Sequence, residues 1–172
     1  MNTGKFIQLA LGLCLLLSGT AFAQETKKIN REKFTLQYPA TWAIATEDED
    51  YDPDALFSID APDDENFVMF FLFDMEIDAD EMINLQVEAF TAELLKNPTS
   101  TSFNSWGNLK GKGTHLKGEF LGMFPGNIRI FVHAAANRSI LVLEQYYDSN
   151  AEEIRKKLGV ISSSFAFKDR DN

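Results

Sequence analysis

Cysteine is nearly missing from this chain, and the single copy, Cys14, sits in an apolar run near the start. Nothing downstream of it can form a disulfide or a thiolate metal site, so stability there must come from packing. Histidine is almost as scarce, with only His115 and His133, and no His-Glu-x-x-His helix is present to hold zinc. No Gly-x-Ser-x-Gly elbow surrounds the serines at Ser162 to Ser164, which excludes the usual strand-to-helix nucleophile. Basic residues are absent from Phe34 through Leu95, a stretch that carries 17 Asp and Glu. The formal charge of −10 disfavours nucleic acid and anionic lipid, because no excess of cations is available to release counterions. After the opening segment no apolar run approaches the roughly 20 residues a spanning helix requires, so stable membrane insertion is not expected.

What is present begins with residues 1–23. Lys5 precedes the apolar run Phe6 to Leu17, and Ala21, Phe22 and Ala23 close it. This layout reads as a secretory signal peptide with an Ala-x-Ala cleavage site. Leu13 before Cys14 departs from the small residue of a lipobox, so a soluble secreted or periplasmic product starting at Gln24 is expected. Its 149 residues suffice for one domain with a sizeable core. The expected division is a signal peptide at 1–23, an N-terminal extension at 24–33, one domain at 34–168 and a tail at 169–172. Residues 24–31 and 168–172 are expected to fray.

Phe34, Leu36 and Tyr38 alternate with Thr35 and Gln37, as a half-buried strand requires, and Pro39 ends it. Trp42 and Ile44 supply a short second strand, and Ala55 to Asp60 a third after the acidic loop Glu47 to Asp54. Asn66 to Phe73 is almost continuously apolar and reads as the middle strand of a sheet covered on both faces. Asp78 with Glu81 forms a capping box for a helix whose stripe is Ile83, Val87, Phe90 and Leu94, stopped by Asn97 and Pro98. Beyond it the segments Ser102 to Leu109, Gly113 to Leu121, Asn127 to Ala136 and Ser139 to Tyr147 predict an antiparallel meander, with Asn137 and Arg138 as a two-residue turn. Asp148 or Ser149 is positioned to cap a last helix with Glu152 and Glu153 in its first turn, Arg155, Lys156 and Lys157 farther along to match the helix dipole, and Ile154, Leu158, Ile161 and Phe165 on its buried side. Segregated strands and two amphipathic helices define an α+β layered domain.

The run Phe34-Thr35-Leu36-Gln37-Tyr38-Pro39-Ala40-Thr41-Trp42, the acidic-capped helix, the glycine-punctuated strands and Ser162-Ser163-Ser164-Phe165-Ala166-Phe167 together resemble the PsbP/Mog1/DcrB-like family. The resemblance covers nearly all of the chain after the leader. It implies an α/β/α sandwich with a central, mostly antiparallel sheet flanked by helices. Members of that family serve different partners and share no catalytic centre, so the resemblance implies neither a cofactor nor a reaction.

Candidate chemistry is correspondingly sparse. Asp48, Asp50, Asp52 and Asp54 alternate as oxygen ligands for Ca²⁺ would, yet Pro53 and Ile59 stand where an EF-hand needs Gly and Glu, so a solvated loop is expected. Lys110-Gly111-Lys112-Gly113-Thr114 lacks phosphate-loop spacing and reads as a tight turn. Leu121-Gly122-Met123-Phe124-Pro125-Gly126 favours a turn with Met123 and Phe124 at its tip, as anchors for a partner. No catalytic, cofactor or metal residue is expected. The leading expectation is a secreted, non-enzymatic binding or assembly-accessory domain for an envelope protein partner. The alternatives are a small-molecule or lipid carrier with a pocket of Phe67, Phe70, Phe71 and Phe73, and a hydrolase built from residues distant in sequence.

Overall fold

The computed structural model describes residues 25–45 and 52–168. The expected leader, Asp48 and Asp50 of the acidic run, and the tail 169–172 lie outside the described residues. In chain order the elements are β1 (Thr26–Asn30), β2 (Phe34–Pro39), β3 (Ala43–Ala45), β4 (Leu56–Asp60), β5 (Phe67–Phe73), α1 (Ala79–Ala89), β6 (Leu95–Trp106), β7 (Leu109–Phe120), β8 (Phe124–Ala135), β9 (Arg138–Tyr147), α2 (Ala151–Ser164) and β10 (Ala166–Phe167). Seven strands form one sheet in the order β3-β4-β5-β9-β8-β7-β6, and β1-β2-β10 form a smaller one. Every pairing is antiparallel.

The two-residue period of the strands divides the interior in two. Val68, Phe70, Ile140, Val142 and Phe131 face one way, against Phe34 and Leu36 of β2 and Ile154, Leu158 and Ile161 of α2. Leu116, Phe120, Ile128, Ile130, Leu141 and Leu143 face the other way, with Ile83 of α1. One helix thus covers each face, which is the expected sandwich. Stacked rings tie the small sheet to the large one: Phe34 lies 5.2 Å from Phe57, and Phe57 lies 4.6 Å from Phe70. Asp78 caps α1 as expected, its carboxylate accepting from the N–H groups of Asp80 and Glu81 at 2.9 and 3.0 Å.

Several sequence expectations are corrected. Residues expected to fray instead form β1, because β2 offers an open edge and Ile29, opposite Leu36, has a place in the core. Asn97 and Pro98 do not stop a helix. After α1 the chain makes a π turn over Phe90–Leu94 and is already extended at Leu95. Pro98 then sits where the β6–β7 register shifts between Lys96 and Thr99, a place where a missing N–H costs no ladder bond, and Asn97 has φ +51°. The segment 102–109 straddles a hairpin whose turn is Gly107 and Asn108. Lys110 to Thr114 is therefore strand, not turn. There Gly113 lets the Phe103 ring pass, since a Cβ would lie 2.4 Å from it. The β8–β9 turn is Ala136 and Asn137, with Arg138 already paired to Ala135. The central strand is β9, and β5 lies beside it. α2 is preceded by a 3₁₀ turn, Asp148–Asn150, and its N-cap Asn150 makes no side-chain bond.

Candidate binding pocket and loop tip

Strand register sets Val68, Glu144, Arg129 and His115 in a row across the face beneath α2. Glu144 is a charged residue in a strand whose neighbours on that face are Val142 and Tyr146, and only 1% of its surface is exposed. A buried carboxylate is tolerable only when its oxygens are bonded. Both are: Oε1 accepts from the Trp106 indole N–H at 2.7 Å, and Oε2 accepts from Arg129 Nη1 at 2.5 Å. The Arg129 guanidinium also lies 4.6 Å from the centre of the Phe103 ring, a cation–π contact that holds the fork in place.

Beside this pair is a pocket of about 340 Å³. The sheet contributes His115, Arg129, Glu144 and Tyr146, and α2 contributes Arg155, Leu158, Gly159 and Ser162. Burial pushes the Tyr146 hydroxyl above its ordinary range; Arg129 opposes this, Glu144 adds to it, and Arg155 opposes it. The hydroxyl is therefore protonated at neutral pH and able to donate. Arg155 spends its Nε–H on the carbonyl of Ala151 at 3.2 Å.

A second network adjoins the first. Asn127 donates from Nδ2 to Asp148 at 2.7 Å, which turns its Oδ1 to His115 Nε2 at 2.9 Å and assigns the ring proton to that nitrogen. Lys117 reaches the other Asp148 oxygen at 2.9 Å. Asp148, placed by the sequence as a helix cap, is thus a hub between β7 and β8. The hydrogen bond from Lys117, then that from Asn127, holds its carboxyl below the usual aspartate range. A depressed folded value means stability that is present above the unfolded value, about pH 4, and lost as pH falls through the folded one. Asp148→Asn is expected to remove this increment. The stability difference between wild type and variant, measured by urea unfolding at successive pH values, should be less than about 1 kcal/mol near neutrality and close on acidification.

The other sequence candidates disperse. His133 Nδ1 bonds to the Lys110 carbonyl oxygen at 2.7 Å, so the two histidines serve separate partners. No cluster of three or more His, Cys, Asp or Glu with metal-holding geometry occurs among the described residues. Asp54 pairs with Arg31 at 3.6 Å, and its N–H bonds to Asp52. Ser162 and Ser163 turn their hydroxyls to α2 carbonyls, whereas Ser164 links α2 to Gln37 of β2. The proposed phenylalanine pocket is corrected by the strand period: Phe70 belongs to the core under α2, while Phe67, Phe71 and Phe73 alternate to the opposite face, where Phe71 and Phe73 pack into the core under α1. They do not converge on one cavity.

Of the two residues expected at the tip, Met123 ends the turn between β7 and β8 and Phe124 is the first residue of β8, paired with Phe120. Leu121 and Met123 in this turn and Phe124 just after it are exposed by 62%, 65% and 51%. Phe124 opens β8, and its ring lies 6.3 Å from that of Tyr147. Leu121 has φ +53°, a conformation that costs an L-residue about 1–2 kcal/mol.

Sequence reasoning did not bring Arg129, Glu144, Tyr146 and Arg155 together as one site. The available signal was a Glu within Ser139–Tyr147 and an Arg between Ile128 and Ile130, charges that an otherwise apolar strand must pair.

No protein-family model matches the chain, and no curated protein matches it in sequence. Solved structures do. Cyanobacterial PsbP (CyanoP) from Synechocystis is similar with a TM-score of 0.52 and 9% identity, over 87% of this chain and 96% of that one. LpqN of Mycobacterium tuberculosis, described as involved in cell envelope biogenesis, is similar with a TM-score of 0.54 and 10% identity, over 84% of this chain and 91% of that one. The chain therefore has the PsbP-like α+β fold, as the resemblance spread over its opening strand, capped helix, glycine-punctuated strands and closing Ser-Phe segment implied. No helix among the described residues is long and apolar enough to cross a membrane.

Proposed function

We propose that this protein is an exported, non-catalytic binding or assembly-accessory domain of the cell envelope that engages a protein partner through Met123 and Phe124. The observation that carries this reading is the tip itself. Three of the five large apolar side chains exposed among the described residues fall within four positions, Leu121 to Phe124. The hairpin turn holds them there: Met123 N–H donates to the Phe120 carbonyl at 3.0 Å, and the left-handed pair Leu121 and Gly122 at its centre turns the leucine side chain away from both cores. The leader-like segment 1–23 supports export, and the envelope role described for LpqN supports the setting. A binding role also accords with Glu144, whose oxygens are both committed to structural bonds.

Phe124→Ala tests the reading. Because the ring is half exposed, the unfolding free energy should fall by less than about 1.5 kcal/mol, below the cost of emptying a buried aromatic site. Affinity capture from the native envelope, read by mass spectrometry, should lose its specifically retained protein. A stability loss above about 3 kcal/mol with capture unchanged would make Phe124 a packing residue and remove the tip as a contact. Reproducible turnover of a substrate, abolished by a substitution that spares folding, would overturn the non-catalytic assignment.

A further inference from the structure

The pocket under α2 has a charge opposite to that of the molecule around it. Its wall carries two guanidinium groups, Arg129 and Arg155, in a chain of formal charge −10. The one carboxylate in the wall, Glu144, already binds Trp106 and one nitrogen of Arg129. Arg129 keeps further N–H donors, and Arg155 forms no ion pair among the described residues. Both guanidinium groups line the same pocket as Tyr146, whose hydroxyl has no hydrogen-bond partner among the described residues. Forked N–H donors with a neutral O–H beside them match the two oxygens of a carboxylate. Gly159 leaves the helix side of the wall without a side chain, Leu158 beneath it being buried in the core, and the volume of about 340 Å³ exceeds what an inorganic ion fills.

We infer that this pocket binds a small organic carboxylate, its head group held by Arg155, Arg129 and Tyr146 and its carbon chain laid along the bare stretch of α2 at Gly159. The inference does not depend on the role of the Leu121 to Phe124 tip.

Calorimetric titration of the purified protein with sodium hexanoate, hexanol and inorganic phosphate tests it. Hexanoate is expected to bind saturably and at least tenfold more tightly than either hexanol, which has the same chain without the charge, or phosphate, which has charge without the chain. Arg155→Gln should weaken hexanoate at least tenfold while leaving the unfolding midpoint in place, because Arg155 holds no ion pair. Tyr146→Phe keeps the ring and should weaken it several-fold. Equal affinity for hexanoate and hexanol, tighter binding of phosphate, absence of saturable heat with hexanoate, or indifference to Arg155→Gln would each overturn the assignment.

Discussion

Arg129→Met is expected to lower the unfolding free energy by about 3–5 kcal/mol, the range for a buried ion pair deprived of one member. The asymmetry of burial sets this magnitude. Arg129 keeps 28% of its side chain in water, but Glu144 is sealed between the sheet and α2. Without the guanidinium, the carboxylate retains only the Trp106 N–H. Adding Glu144→Gln to Arg129→Met should recover most of the loss, because a neutral amide oxygen still accepts from the indole and no buried charge remains. Urea unfolding of wild type, single and double variants measures both steps. A single-variant loss below about 1 kcal/mol would mean that the pair is screened like one on the surface.

Gly107→Ala is expected to cost about 2–5 kcal/mol. An added Cβ would stand 1.8 Å from the backbone oxygen of Ser162, and the residue has φ +53°. Left-handed backbone accounts for about 1–2 kcal/mol and overpacking for about 1–3 kcal/mol. Relief requires the end of α2 to move, and with it Ser162 in the pocket wall; the Asn108 amide, bonded to the Ser163 carbonyl at 3.0 Å, clamps the same place. Gly122→Ala is the control. Its φ is +72°, but the nearest atom to its Cβ is 3.9 Å away, so it should show the backbone cost alone. Thermal unfolding of the two variants separates conformational strain from contact, and equal losses would mean that α2 yields freely.

Features written in short-range pattern were legible from the residues. The alternation of Phe34, Leu36 and Tyr38, the Asp78 cap and the Ile154-Leu158-Ile161 stripe each depend on neighbours within a few positions, and each appears in the structure. Strand limits at Leu95 and Leu109 were not, because pairing with a distant partner decides whether a glycine or proline interrupts a strand or is absorbed by it. Gly113 illustrates the ambiguity: glycine serves a turn and a crossing ring equally well. The pocket shows how sensitive a site is to such limits. A turn at Asn137 and Arg138 places Arg129 opposite Tyr146; the actual turn at Ala136 and Asn137 places it opposite Glu144. A one-residue difference in the hairpin thus conceals the ion pair. Arg155 was visible only as a helix-dipole charge, since its relation to β9 depends on how α2 docks.

The outer strands of the large sheet bear on how copies of this protein coexist. An uninterrupted flank of unpaired N–H and C=O groups would template another molecule and start a fibre. At one end β3 is three residues long. At the other, β6 is broken in register at Lys96/Thr99 and at Phe103/Ser105, with a proline in the first break. Neither margin offers the straight ladder that intermolecular zipping needs, so concentrated molecules can collide edge to edge without being stitched into a continuous ribbon.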